Sequence, residues 1–214
     1  MSFAHPLSRR ALVRLGAALP LLGFGAGCQL PGSSPAPREF RVTAKSTFTE
    51  DLPEVSWSLA VDRPTILTAI DTDRIARLSG VEVEYYAGAT WVDRPAAMIE
   101  PLLIASFRNS GAIDVVVDRR SEVRPDFLLQ TNVSAFQAEP NEAGPPNARV
   151  VISATLLSMP QREVAGTTEI GRDVVAEAGD LASIAAAVDE ALGKVLKRLV
   201  EWTLITGQQA VQGS

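Results

Sequence analysis

The sequence predicts an α+β protein, with two main helices packed on one face of a mostly antiparallel sheet. Three observations predict it. Short stretches of period-two alternation fill most of the chain, a run of helical spacing interrupts them near Pro95, and a long amphipathic stripe closes the sequence. Phe40-Arg41-Val42-Thr43-Ala44 alternates like a strand, and Val55 to Val61 does so after the turn at Pro53. Val81-Glu82-Val83-Glu84-Tyr85 repeats the pattern with acids on the alternate face.

From Arg94 the period changes. Pro95 suits a first helical turn, and Met98, Ile99, Leu102, Leu103 and Phe107 recur at steps of three and four up to the stop at Asn109-Ser110-Gly111. Pro101 inside that run predicts a kink or a late start. Ile113 to Val117 reads as a buried strand. Phe127 to Phe136 and Ala148 to Met159 read as two long strands around the loop Glu139 to Asn147, with another at Glu163 to Val175. Leu181, Ile184, Val188, Leu192, Val195, Leu199 and Trp202 then mark the core face of the last helix, while Asp189, Glu190, Lys194, Lys197 and Arg198 fill its polar face.

The N-terminus has a different logic. Arg9, Arg10 and Arg14 precede an apolar stretch from Leu15 to Phe24, and Gly25-Ala26-Gly27 leads into Cys28, the only cysteine of the chain. A basic region, an apolar run and small residues before a cysteine form a bacterial lipoprotein signal, in which the thiol is acylated and the leader cut away before it. Residues 1–27 are expected as this leader, 28–38 as a Pro- and Ser-rich tether, 39–206 as the folded domain and 207–214 as a C-terminal tail. Ser8-Arg9-Arg10 leaves twin-arginine and general export both open. Gln29, rather than Asp, follows the cysteine, which favours the periplasmic face of the outer membrane over the inner membrane.

Removing residues 1–27 takes away three arginines and no acids, so net charge moves from −5 to −8. It also removes His5, the only histidine. Without imidazole, and with its one thiol committed to lipid, the mature chain is expected to be no enzyme, with no catalytic residues, metal or cofactor. The acidic balance argues against nucleic acid as a partner.

Several stretches match a known family in order: Asp71-Thr72-Asp73-Arg74-Ile75 within Thr68 to Leu78, Glu84-Tyr85-Tyr86 followed by Thr90-Trp91-Val92-Asp93-Arg94-Pro95, Asp126-Phe127-Leu128-Leu129-Gln130, and Leu199-Val200-Glu201-Trp202. With the lipobox, they resemble the ABC-type transport auxiliary lipoproteins, the PqiC-like family. The resemblance implies a non-enzymatic lipoprotein working with an MCE-domain (mammalian cell entry) transporter that moves lipids between the two membranes of the envelope. A lipoprotein carrying lipid or solute in its own cavity is the alternative; it would need an apolar pocket of several hundred Å³. A phospholipid ligand and a homo-oligomer stay open.

The residues expected to matter are the lipid anchor Cys28 and, for partner binding, Tyr86 and Trp91 at one corner and Glu139 and Asn141 in the long loop. Tyr85, Tyr86 and Trp91 also have a plain structural reading, and the favoured one: a strand–loop–helix corner needs large side chains to seal the core. Asp71 and Asp73 read as turn and helix-cap groups rather than a cation site. Arg119-Arg120 beside Asp118 and Glu122 reads as a solvated turn.

Overall fold

The computed structural model describes residues 36–49 and 51–213. The expected leader, Cys28 and most of the expected tether lie outside the described residues. The chain runs β1 (Arg38–Phe40), β2 (Leu59–Val61), β3 (Thr65–Ile66), β4 (Arg74–Ser79), β5 (Glu82–Trp91), α1 (Pro95–Ser110), β6 (Val116–Asp118), β7 (Phe127–Glu139), β8 (Asn147–Ser158), β9 (Glu163–Val175) and α2 (Leu181–Gln212).

The nine strands form one sheet with β7 as its spine. One edge of β7 pairs antiparallel with β8 along its whole length, and β8 pairs antiparallel with β9. Its other edge is shared in succession by β2, β3 and β4, all parallel to it. β4 and β5 form an antiparallel hairpin, while β1 and β6 join β5 and β2 in parallel. The α+β class is thus as expected, but the sheet is mixed rather than mostly antiparallel. Parallel neighbours need crossover connections, and α1 lies within the one that joins the parallel neighbours β2 and β6.

Both helices lie on one face. Leu59, Val61, Phe127, Leu129, Ile152 and Leu156 from the strands share a single core with Ile99, Leu103 and Phe107 of α1 and Ile184, Val188, Leu192, Val195 and Leu199 of α2. The residues of opposite parity, Ala60, Leu128 and Leu157, form a small separate cluster on the reverse face with Val117 and Met159. Side chains alternating across the pleat produce this division.

α1 starts at Pro95, not late, and continues through Pro101. Arg94 at its N-cap makes no side-chain cap; instead Asp71 Oδ1 accepts from Ala96 N at 3.1 Å, a cap supplied from a distant loop. The helix ends at Gly111, whose φ of 67° is the left-handed conformation that glycine adopts without steric cost. α2 is capped by Asp180, which accepts from the N–H groups of Ala182 and Ser183. It continues through residues 207–212, the stretch expected as a tail, because Gly207 remains buried against Trp57.

Residues 41–49 differ most from expectation. The strand ends at Phe40, and the following backbone crosses both helices as a strap. Thr43 N donates to Asp189 Oδ1 of α2 at 2.6 Å, Lys45 N donates to Ser106 Oγ of α1 at 2.9 Å, and Asn109 Nδ2 of α1 donates to Lys45 O at 2.9 Å. Thr49 Oγ1 then donates to Glu201 Oε1 of α2 at 2.6 Å. Val42 is buried and Phe48 packs on the core, so the alternation seen in the sequence is real but is answered by helix side chains instead of a neighbouring strand.

Candidate functional site

Two regions present chemistry. The first gathers residues expected from the sequence. β4 runs parallel to β7, with Arg77 opposite Ala138, so the turn after β4 and the loop after β7 emerge at the same end of the sheet. Val81 stands fully exposed at that turn, and Pro140, Glu142, Ala143 and Gly144 are exposed in the loop. The loop folds on itself. Asn141 Oδ1 accepts from Ala143 N at 3.1 Å, Asn141 O accepts from Gly144 N, and Glu139 pairs with Arg149 at 3.8 Å.

Tyr86 lies half-buried on β5, two strands from β7. Burial pushes its phenol pKa up, opposed by the charge of Arg77 and reinforced by Glu84. Arg77 itself pairs with Glu84 at 3.2 Å. Tyr85 is held by a hydrogen bond from its hydroxyl to Ala69 O at 2.9 Å, with the Arg74 guanidinium 3.6 Å from its ring centre.

Trp91 does not join this surface. It is 3% exposed and stacks at a tilt on Phe136, 5.4 Å between ring centres. Its assignment as a contact residue is corrected: it seals the core under the corner, because β5 ends there against the strands that bury it. Asp71 is the α1 cap, and Asp73 accepts from Thr72 Oγ1 while its carbonyl accepts from Trp91 N. Arg120 is more than a turn residue, since it reaches Glu100, buried on α1, at 3.2 Å.

The second region was not legible in advance. A groove of about 580 Å³ runs between α2 and β9, lined by Thr168 to Arg172 on one wall, Arg198, Glu201, Trp202 and Ile205 on the other, and Thr49, Asp51 and Leu52 at one side. A smaller pocket of about 230 Å³ adjoins it, with four cations, Arg172, Lys194, Lys197 and Arg198, around Glu201. Glu201 is 7% exposed and is held by Thr49, Arg198 at 3.3 Å and Lys197 at 3.8 Å. The groove mixes charge with apolar surface and is open to solvent, unlike the enclosed apolar chamber that carrying a lipid chain calls for. Among the described residues no group of three acidic, histidine or cysteine side chains could hold a metal, and no helix is long and apolar enough to cross a membrane.

The family model described as the ABC-type transport auxiliary lipoprotein component matches residues 40–200, from the end of β1 to well inside α2. The chain belongs to that family. A crystal structure of a Xanthomonas campestris protein assigned to the family DUF330 is 31% identical and superimposes with a TM-score of 0.77, covering 81% of this chain and 98% of that one. An uncharacterized protein of known structure shares the fold at 9% identity and a TM-score of 0.58, covering 77% and 97%. No curated protein matches the chain. The family is one of auxiliary lipoprotein components of transport systems, not of enzymes, and membership implies a transporter as partner and a membrane-anchored periplasmic location.

Proposed function

We propose that the protein is the lipid-anchored, non-enzymatic auxiliary subunit of an MCE-domain ABC transporter that moves lipids between the inner and outer membranes. The family match over residues 40–200 carries this reading. In it, Cys28 bears the acyl chains that hold the protein on the periplasmic face of the outer membrane, residues 28–38 give reach, and the folded body docks on the periplasmic part of the transporter. The proposed docking surface comprises the turn around Val81 and the loop Glu139 to Asn147, at one end of the sheet, together with the half-buried Tyr86 further along β5. Loops on a rigid sheet are suited to recognition because their backbone can vary without disturbing the core.

One experiment on membrane fractions tests the proposal. Wild-type protein should co-purify with the MCE-domain subunit, Cys28→Ser should move it to the soluble periplasmic fraction, and Tyr86→Ala or a shortened Glu139 to Asn147 loop should weaken co-purification at least several-fold while the protein stays folded. Leu192→Asp, which places a carboxylate at a fully buried core position, is the contrasting control. It should cost about 4 kcal/mol or more and damage folding itself. Wild-type protein that binds no transporter subunit but retains phospholipid would replace this reading with the lipid carrier.

A further inference from the structure

The groove beside β9 is built from an unusual wall. Residues on one face of a strand alternate, yet the five consecutive residues Thr168 to Arg172 all line it, so the groove follows the backbone edge of the strand. That edge is open: among the described residues β9, 13 residues long, pairs with β8 alone. Long open edges invite another strand unless something covers or blunts them. Here the Gly171 carbonyl accepts from the guanidinium of its neighbour Arg172 at 2.6 Å.

The charges divide by face. Glu169 and Asp173 point to the side away from α2, where Ser153 and Arg149 hold them. Arg172 has the parity of Ile170, which is in the core beneath α2, and so faces Lys194, Lys197 and Arg198 across the smaller pocket. Four cations line that pocket with one acid, Glu201, and Lys194 also pairs with Glu190 at 2.7 Å, while Asp51 and Glu169 stand on the adjoining groove; the pocket is thus cationic within residues 28–214, whose net charge is −8. Further along, Trp202 and Ile205 offer an apolar floor.

Resting on the reading of the body as a docking subunit, we infer that the free edge of β9 receives an extended, acidic segment of a partner protein as an added strand. Backbone pairing along Thr168 to Arg172 provides the affinity, as in other strand additions. Alternate carboxylates of the incoming segment face Arg172, Lys194 and Arg198, and an apolar residue beyond them covers Trp202. This surface is separate from the Tyr86 corner: β4, β7 and β8 lie between β5 and β9 in the sheet. A groove wall made of strand backbone favours a peptide over a lipid headgroup, which needs cations but no strand edge.

The test uses the full-length protein in detergent and a fluorescein-labelled octapeptide of alternating Glu and Val, with an N-methylated twin as the control that cannot pair. The octapeptide should bind, backbone amides of Thr167 to Asp173 should gain protection from hydrogen exchange, and both N-methylation and Arg172→Glu should weaken binding at least tenfold. Lys194→Glu provides the same readout should Arg172→Glu fold poorly. Equal binding of the methylated twin, or no protection on β9, overturns the inference, as does short-chain phosphatidylglycerol competing where the peptide does not. Arg172→Glu protein that keeps full co-purification with the transporter removes the β9 surface but leaves the docking subunit intact; wild-type protein that never co-purifies removes both.

Discussion

Asp180 illustrates how one side chain ties local structure to solution behaviour. Its carboxylate accepts from the Ser183 hydroxyl at 2.7 Å and from the amides of Ala182 and Ser183. The Ser183 hydroxyl first, and the amides after it, hold its pKa below the usual carboxylate value. A carboxyl whose folded pKa lies below its unfolded one leaves the unfolded chain with more bound protons. Its contribution is therefore present above the ordinary aspartate range and is lost as pH falls through the folded value. Asp118 acts with the same sign, through the Arg120 amide above all. Asp180→Ala should lower Tm at neutral pH by about 3 °C. Asp180→Asn should keep most of the cap while flattening the acid limb of stability between about pH 5 and 3; an unchanged acid limb in thermal melts would show that the carboxylate adds nothing.

At the scale of elements, legibility followed length and covering. α2 and the strands β7 to β9 could be read directly, because long elements with one buried face print their period on the sequence. β3 spans two residues, too few for a period to show, and β2 and β6 prove to be only three-residue strands at the ends of the stretches Val55 to Val61 and Ile113 to Val117. β4 was hidden for another reason: Ile75 and Ala76 are consecutive and both buried, so its pattern does not alternate. In the candidate site, Glu139 and Asn141 bound or lie in a loop that Pro and Gly mark in the sequence, whereas Trp91 left two readings open, contact or core, because an aromatic residue near a corner looks the same in sequence whether it faces in or out; its burial decides for the core. The groove escaped because Lys194, Lys197 and Arg198 read as an ordinary solvated helix face until β9 places Arg172 opposite them. Packing of α2 also sets a sharp limit at Gly207, where an added Cβ would sit 2.5 Å from the Trp57 ring. Trp57 is itself wedged edge-on against Phe127 at 4.8 Å. Gly207→Ala should destabilise the protein by about 1–3 kcal/mol despite alanine's better helix propensity; a neutral or stabilised variant in urea denaturation would mean the indole moves aside freely.

For the whole molecule, the order of attachment matters more than the sum of contacts. In the proposed arrangement the body hangs from its N-terminal side, so tension between the membrane and a docked partner enters at residue 36, through the three-residue β1 and then the strap. Those parts are held by a short ladder, by hydrogen bonds to Asp189, Ser106, Asn109 and Glu201 and by the packing of Val42 and Phe48, whereas the β7–β8–β9 sheet and α2 are held by long ladders and most of the shared core. Pulling on residue 36 in a single-molecule experiment should therefore show a small early yield before the main rupture, and one simultaneous rupture would refute it. The strap is in this sense a mechanical fuse. By letting go first it would add up to about 45 Å of free chain, lengthening the leash without unfolding the body that docks.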